Sequence, residues 1–249
     1  NIRVNITLHP NKDVIRRIKT YSGFEFLDNF SNYFARNLDK LIIGKVIGNE
    51  DLAQYNKAYH FMLYPVQNLT NIVSPVLHPI LSDYQDNKEI IYNKYIRVLK
   101  ILSLVGIFIT PICYSCSKEI IGIIYGAQWN QAVYCLKYLS FAIWTQMLVS
   151  STGGVFNALG STRNKFFSTT ANTLINIIFL IIGTKSKNII IISKFISIAY
   201  CFTFINSFFM LIKLTMKISF MRFLINFIPD LFIAALLFFI TIIENKYIA

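Results

Sequence analysis

The chain has 249 residues, of which 55% are hydrophobic and only 14% charged, and its mean hydropathy is +0.51. Soluble domains carry roughly 25% charged residues to cover their water-facing surface. This composition therefore excludes a soluble globule, a disordered chain, a collagen-like fibre and a small disulfide scaffold, and leaves an all-α polytopic transmembrane bundle. Lysine and arginine number 24 against 12 acidic residues, a net charge of +12. These cations fall mainly between apolar runs, as in cytoplasmic loops, and not in the patches of a nucleic-acid binder, so no nucleic-acid partner is expected. The chain opens on Asn1 without a signal peptide, and the expectation is a piece of a longer protein.

Taken in order, residues 1–23 read as a cytoplasmic basic linker. Within it, Val14-Ile15-Arg16-Arg17-Ile18-Lys19 is short and amphipathic, fit to lie on anionic headgroups or to join two bundles. A span needs roughly 20 mainly apolar residues to cross a ~30 Å core. About seven candidates follow: Phe24–Ile47, Ala53–Leu81, Val98–Cys116, Ala132–Phe156, Phe166–Ile182, Ile189–Leu211 and Phe223–Ile243. The expected organisation is a six-helix second lobe over 24–211, then a loop and one additional transmembrane helix over 212–249. Glu119–Tyr125 is apolar but too short to span, and reads as an interfacial helix with Trp129 and Tyr134 at headgroup depth.

Alternate loops collect Arg3, Lys12, Arg16, Arg17 and Lys19; Lys88, Lys94, Arg97 and Lys100; Arg163 and Lys165; and Lys213, Lys217 and Arg222. That is 14 basic residues on one side against 6 on the other, which makes the first side cytoplasmic. The start of the chain is then inside and its end outside.

The first span is unusually polar. Glu25, Asp28, Asn29, Asn32, Arg36 and Asp39 recur at three- and four-residue steps, which stacks them on one helix face. Phe26, Phe30, Phe34, Leu38 and Leu41 form the other. An unpaired charge at such depth costs about 2.5–3.5 kcal/mol on the insertion scale. Arg36 and Asp39 therefore form either a structural pair at i, i+3 or part of a wet, functional cavity. The second span repeats the stripe without charge: His60, Tyr64, Gln67, Asn71, Ser74, His78 and Ser82, with Pro65, Pro75 and Pro79 interrupting it. Broken, polar-faced helices commonly line transporter cavities. Weaker stripes, Thr145, Gln146, Ser150 and Ser151 and then Thr169, Asn172, Thr173 and Asn176, read as interhelical hydrogen bonding. Lys194 and Asp230 lie near span ends, and snorkelling accounts for Lys194.

Cys113, Cys116, Cys135 and Cys201 lie in or beside apolar runs and read as small buried thiols rather than a redox or zinc pair. No catalytic motif, phosphate loop or metal-ligand cluster occurs, so neither enzyme activity nor a metal or other cofactor is expected.

The stretch Phe34-Ala35-Arg36-Asn37-Leu38-Asp39-Lys40-Leu41-Ile42-Ile43-Gly44-Lys45-Val46-Ile47-Gly48 resembles the opening helix of the second lobe in bacterial polysaccharide flippases. These are the O-antigen and exopolysaccharide repeat-unit translocases of the multidrug/oligosaccharidyl-lipid/polysaccharide exporter superfamily. The likeness continues at Leu52–Tyr59, Pro65–Leu69, Val76–Ser82, Tyr125–Trp129 and Asn157–Thr162, covering roughly Gly23 to Asn172. It departs at Ala53, where relatives often carry Gly, and at His78, where an aromatic is common.

The resemblance implies a bacterial inner-membrane protein that flips polyprenyl-diphosphate-linked oligosaccharide repeat units by alternating access. Its partners would be that lipid-linked oligosaccharide, the bilayer and the missing N-terminal half of the same protein. Arg36, Asp39, Glu25, Asp28, Asn32, Gln67, Asn71 and His78 would line the cavity. Arg36 would meet the diphosphate, and a carboxylate would serve a coupling ion, H+ or Na+. The alternatives are a drug/cation antiporter or a peptidoglycan-precursor flippase of the same superfamily. A membrane polysaccharide polymerase or ligase would be expected to show a larger outer loop.

The orientation is tested with single cysteines in a cysteine-free background and an impermeant thiol reagent. Asn49→Cys and Ser186→Cys should label in intact cells, whereas Asn87→Cys and Ser161→Cys should label only after permeabilisation.

Overall fold

The computed structural model describes residues 12–84 and 87–248; the side chains of 12–14, 16, 17, 34–36, 74, 78 and 242–248 lie outside the description. Among the described residues the regular structure is entirely helical: α1 (Lys12–Val46), α2 (Asn49–Ser82), α3 (Lys88–Ser115), α4 (Ser117–Tyr125), α5 (Asn130–Leu139), α6 (Phe141–Ser150), α7 (Thr152–Ala158), α8 (Thr162–Thr184), α9 (Ile189–Phe208), α10 (Phe220–Ile225) and α11 (Ile228–Ile248). A π-helical stretch, Phe209–Thr215, continues α9. The all-α bundle read from composition is the fold.

Among the described residues four helical stretches are long and apolar enough to cross a bilayer, namely Lys88–Ser115, Thr162–Thr184, Ile189–Thr215 and Phe220–Thr241. The pair Asn130–Leu139 and Phe141–Ala158, bent by 56°, would make a fifth. Helices α1 and α2 have 35 and 34 residues, roughly 50 Å at 1.5 Å per residue. Their length suffices for a span but their polarity keeps them below the composition test.

Three expectations change in detail. The basic segment around Val14–Lys19 forms the first turns of α1, which runs unbroken through Gly23; one helical glycine costs only about 1 kcal/mol. Likewise α2 stays continuous through Pro65, Pro75 and Pro79. The interrupted element is the fourth predicted span. There the hydroxyls of Ser140, Ser150, Ser151 and Thr152 accept no cap but donate to the carbonyls three residues back, at 2.7–2.8 Å. Such local bonds compete with the helical ladder and bend it.

Chain turns are set by specific residues. Gly48 (φ 119) and Gly126 (φ 98) take backbone conformations that side chains rarely adopt. Asn87 caps α3 by accepting from the Ile90 amide, and Asn188 caps α9 by accepting from those of Ile190 and Ile191. Helix α4 occupies the place of the expected interfacial helix, with Ile123 85% exposed.

Two apolar clusters fill the bundle. One gathers Tyr55, Met62, Leu136, Ile143 and Ile192; the other gathers Leu81, Tyr95, Leu99, Phe208 and Phe223. Of the four cysteines, Cys113 and Cys135 are buried as expected, but Cys116 and Cys201 are exposed, and all four are free.

Helices α3 and α6 approach closely at Gly106. A Cβ there would stand 3.0 Å from Trp144 Cδ1 and 3.1 Å from Trp144 Cα. The backbone atom cannot yield, so Gly106→Val should destabilise the protein by about 1–3 kcal/mol. Gly122→Ala, inside α4 with nothing within 4 Å of the added carbon, should leave stability unchanged or raise it by up to about 1 kcal/mol. Thermal unfolding in detergent measures both.

Candidate functional site

The polar face of α1 points at α8. Lys165 Nζ, in the first turn of α8, donates to Glu25 Oε1 at 2.7 Å and stands 3.2 Å from Asp28 Oδ2. Asn32 Nδ2 donates to the same Asp28 oxygen at 3.3 Å. Asp28 is 1% exposed, and Glu25 Oε2 and Asp28 Oδ1 are buried without a hydrogen-bond partner among the described residues. One ammonium thus serves two carboxylates and leaves the trio one negative charge. Of the predicted cavity residues, Glu25, Asp28 and Asn32 are brought together here, between two helices rather than on an open wall.

Farther along α1, Asp39 is 8% exposed, and its Oδ1 accepts from the Lys40 amide at 2.8 Å. It borders a void of about 30 Å³ with Tyr55, Tyr59, Thr173, Asn176 and Tyr200, roughly the volume of one water. Tyr59 and Tyr200 share a hydroxyl hydrogen bond of 2.8 Å. Tyr55 Oη and Asn176 Oδ1 are buried without hydrogen-bond partners among the described residues. Arg36 lies on the same helix three residues before Asp39, and its side chain is outside the described residues.

The stripe on α2 behaves differently. His60, Tyr64, Gln67 and Asn71 are all exposed, at a spacing that places them on one face. The described structure therefore does not join Gln67 or Asn71 to the α1 carboxylates. His78 continues the stripe by position, its side chain again outside the description.

Sequence reasoning missed Lys165 as a site residue, counting it among loop cations. The available signal was its place inside the first turn of a span; what sequence lacked was the pairing of α1 with a helix 140 residues away. It also missed Tyr55, Tyr59 and Tyr200, which look like ordinary aromatic core. The weaker stripes are interhelical glue. Asn206 Nδ2 donates to Asn172 Oδ1 at 2.8 Å, and Asn172 Nδ2 donates to Ser207 Oγ at 2.7 Å. Asp230 is more than a span-end residue: Lys100 Nζ donates to its Oδ1 at 2.8 Å and Ser103 Oγ to its Oδ2 at 2.6 Å.

Residues 1–134 match a family described as polysaccharide biosynthesis protein. The chain belongs to the polysaccharide biosynthesis protein family. That agrees with the polysaccharide flippase resemblance carried by residues 23–172. This family member is 28% identical over 148 residues to the teichuronic acid biosynthesis protein TuaB of Bacillus subtilis (strain 168), covering 59% of the chain and 31% of the relative. It is 23% identical over 202 residues to the lipopolysaccharide biosynthesis protein WzxC of Escherichia coli (strain K12), covering 80% and 40%. An uncharacterized membrane protein in the cps region of Klebsiella pneumoniae is 26% identical over 156 residues, covering 60% and 32%. The chain therefore spans about a third to two fifths of the length of these relatives. No solved structure matches it. Membership, together with the apolar helices, makes it a multi-pass protein of the bacterial inner membrane.

If Lys165 holds the two carboxylates, Lys165→Met should destabilise the protein by about 3–5 kcal/mol by stranding buried charge. Adding Glu25→Gln and Asp28→Asn should recover most of that loss. Thermal unfolding of the purified variants in detergent checks both outcomes.

Proposed function

We propose that this polysaccharide biosynthesis protein serves the translocation of a polyprenyl-diphosphate-linked oligosaccharide across the inner membrane, as the second lobe of a transporter and not as an enzyme. The observation that carries this reading is the exposed stripe of His60, Tyr64, Gln67 and Asn71 along a helix of bilayer length. Polar side chains left facing hydrocarbon are costly, so such a stripe belongs on a wall wetted by a cavity. Sugar hydroxyls crossing the bilayer need replacements for their water, and amide, phenol and imidazole groups supply them.

The α1 residues divide into different tasks under this reading. Arg36, about two helical turns along α1 from Asp28, meets the diphosphate with a planar fork suited to phosphate oxygens. His78 and Asn71 extend the sugar-facing wall. Asp39 and its small tyrosine-lined void accept the coupling ion, H+ or Na+, whose arrival changes the charge beside the path. Glu25, Asp28 and Asn32 border the route at its cytoplasmic end, beside a groove of about 1030 Å³ lined by Tyr21, Ser22, Ser161, Thr162 and Asn164.

A drug/cation antiporter would want an anionic cavity. Lys165 offsets one of the carboxylate charges on α1 and Arg36 adds a second cation to that helix, which favours the lipid-linked sugar. The O-antigen-type repeat unit and the peptidoglycan precursor share the diphosphate, and the relatives named for teichuronic acid and lipopolysaccharide biosynthesis favour the former class.

The test is surface polysaccharide in cells expressing variants of the complete gene at matched levels. Arg36→Lys should retain part of export and Arg36→Ala should abolish it, with lipid-linked repeat units accumulating inside. Adding Asp39→Ala to Arg36→Ala should not restore export. Restoration in the double variant would reduce Arg36 to the structural partner of Asp39.

A further inference from the structure

A second polar groove, separate from the α1 and α2 features, opens at the cytoplasmic end of α3. It has a volume of about 740 Å³ and is lined by Tyr92, Asn93, Arg97, Ser219, Arg222 and Asn226, among others. Arg97 is exposed and has no hydrogen bond or ion pair among the described residues. Arg222 is held in place: its Nη1 donates to both Glu89 oxygens at 3.0 and 3.1 Å, and its guanidinium lies 4.9 Å from the centre of the Tyr92 ring. At the groove Arg222 pairs with Glu89 and Lys100 with Asp230, while Arg97 adds a further cation with no ion pair among the described residues, so the lining keeps a net positive charge.

The groove has an apolar continuation. Arg97, Ile101, Leu104, Phe108 and Ile112 recur at helical spacing on one exposed face of α3, with Ile101 64% and Ile112 55% exposed. From Ile101 to Ile112 the axial rise is roughly 16 Å, about one leaflet of a ~30 Å core. Ile225 and Met221 on α10 are exposed beside the groove's mouth. A cationic, hydrogen-bonding head at the cytoplasmic surface followed by a leaflet-deep apolar stripe is complementary to one kind of molecule.

We propose that this groove binds an anionic glycerophospholipid of the cytoplasmic leaflet, its phosphate on Arg97 and Arg222 and an acyl chain along the exposed face of α3. Basic pockets at helix ends on the cytoplasmic side are suited to such head groups, each cation contributing an attraction worth about a fivefold change in affinity. A bound lipid there bridges α3 to α10, the element that leads into the last helix.

The proposal is tested on protein purified in detergent from its complete gene, by native mass spectrometry with added phosphatidylglycerol, phosphatidylcholine or inorganic phosphate. Phosphatidylglycerol should bind, phosphatidylcholine should bind much less, and inorganic phosphate should neither bind nor displace the lipid. Arg97→Gln and Arg222→Gln should each weaken phosphatidylglycerol binding about fivefold. Arg97→Lys should bind nearly as wild type, and Lys185→Gln on the opposite side should have no effect. Equal retention of the two lipids overturns the proposal, as does a doubly substituted Arg97→Gln/Arg222→Gln protein that binds phosphatidylglycerol as tightly as wild type. Absence of binding, as when another part of the protein covers the groove, overturns it as well.

Discussion

Lys165 reaching across to Glu25 and Asp28 is the contact on which the arrangement of the bundle's polar interior depends. Charges within or near hydrocarbon cannot be left alone, so α1, the most polar of the long helices, docks on a helix whose Lys165 offsets one of its carboxylate charges. Once α1 lies along α8, Asp39 falls opposite Thr173 and Asn176. Helix α8 is then tied to α9 by the Asn172, Asn206 and Ser207 side chains. On the other flank, Lys100, Ser103 and Asp230 form an equivalent clasp between α3 and α11, extended by Trp144 Nε1 donating to Ser103 Oγ at 2.9 Å. Salt links of this kind fix register because any slip would strand a charge.

The contrast between α1 and α2 is informative about function. Both carry polar stripes at helical spacing, yet the α1 carboxylates are turned inward, two of them onto Lys165, whereas the α2 amide, phenol and imidazole groups are turned outward. Inward polarity organises the lobe. The outward polarity of this membrane-length helix finds no packing partner among the described residues. It gains one only if water or a hydroxyl-rich ligand occupies the space beside it, which is why the transport reading rests on α2 more than on the charged helix.

Composition and periodicity were enough to read an all-helical membrane bundle, because hydropathy is a local property and so is the helix period. The polar faces of α1 and α2 were legible for the same reason. Which face meets which helix was not: Lys165 and Glu25 are 140 residues apart, and nothing local marks them as partners. The proline positions misled about where a helix is interrupted, since each removes only one backbone hydrogen bond, while the serine and threonine hydroxyls around 140 and 150–152 bent their helix without any proline. The tyrosines beside Asp39 were invisible because a buried phenol and a core aromatic share one sequence pattern.

The clasp between Lys100 and Asp230 also bears on how the protein is made. The two residues are separated by 130 positions, so at roughly 5–20 residues per second of synthesis the lysine emerges from the ribosome about 6–26 s before its carboxylate. Helix α3 must therefore pass from the translocon with an unpartnered ammonium near its cytoplasmic end. Asp28, emerging well before Lys165, faces a comparable wait with the opposite sign. The nascent chain is thus committed to a period in which its charges rely on headgroups or on the insertion machinery, and the bundle closes only when the late helices arrive.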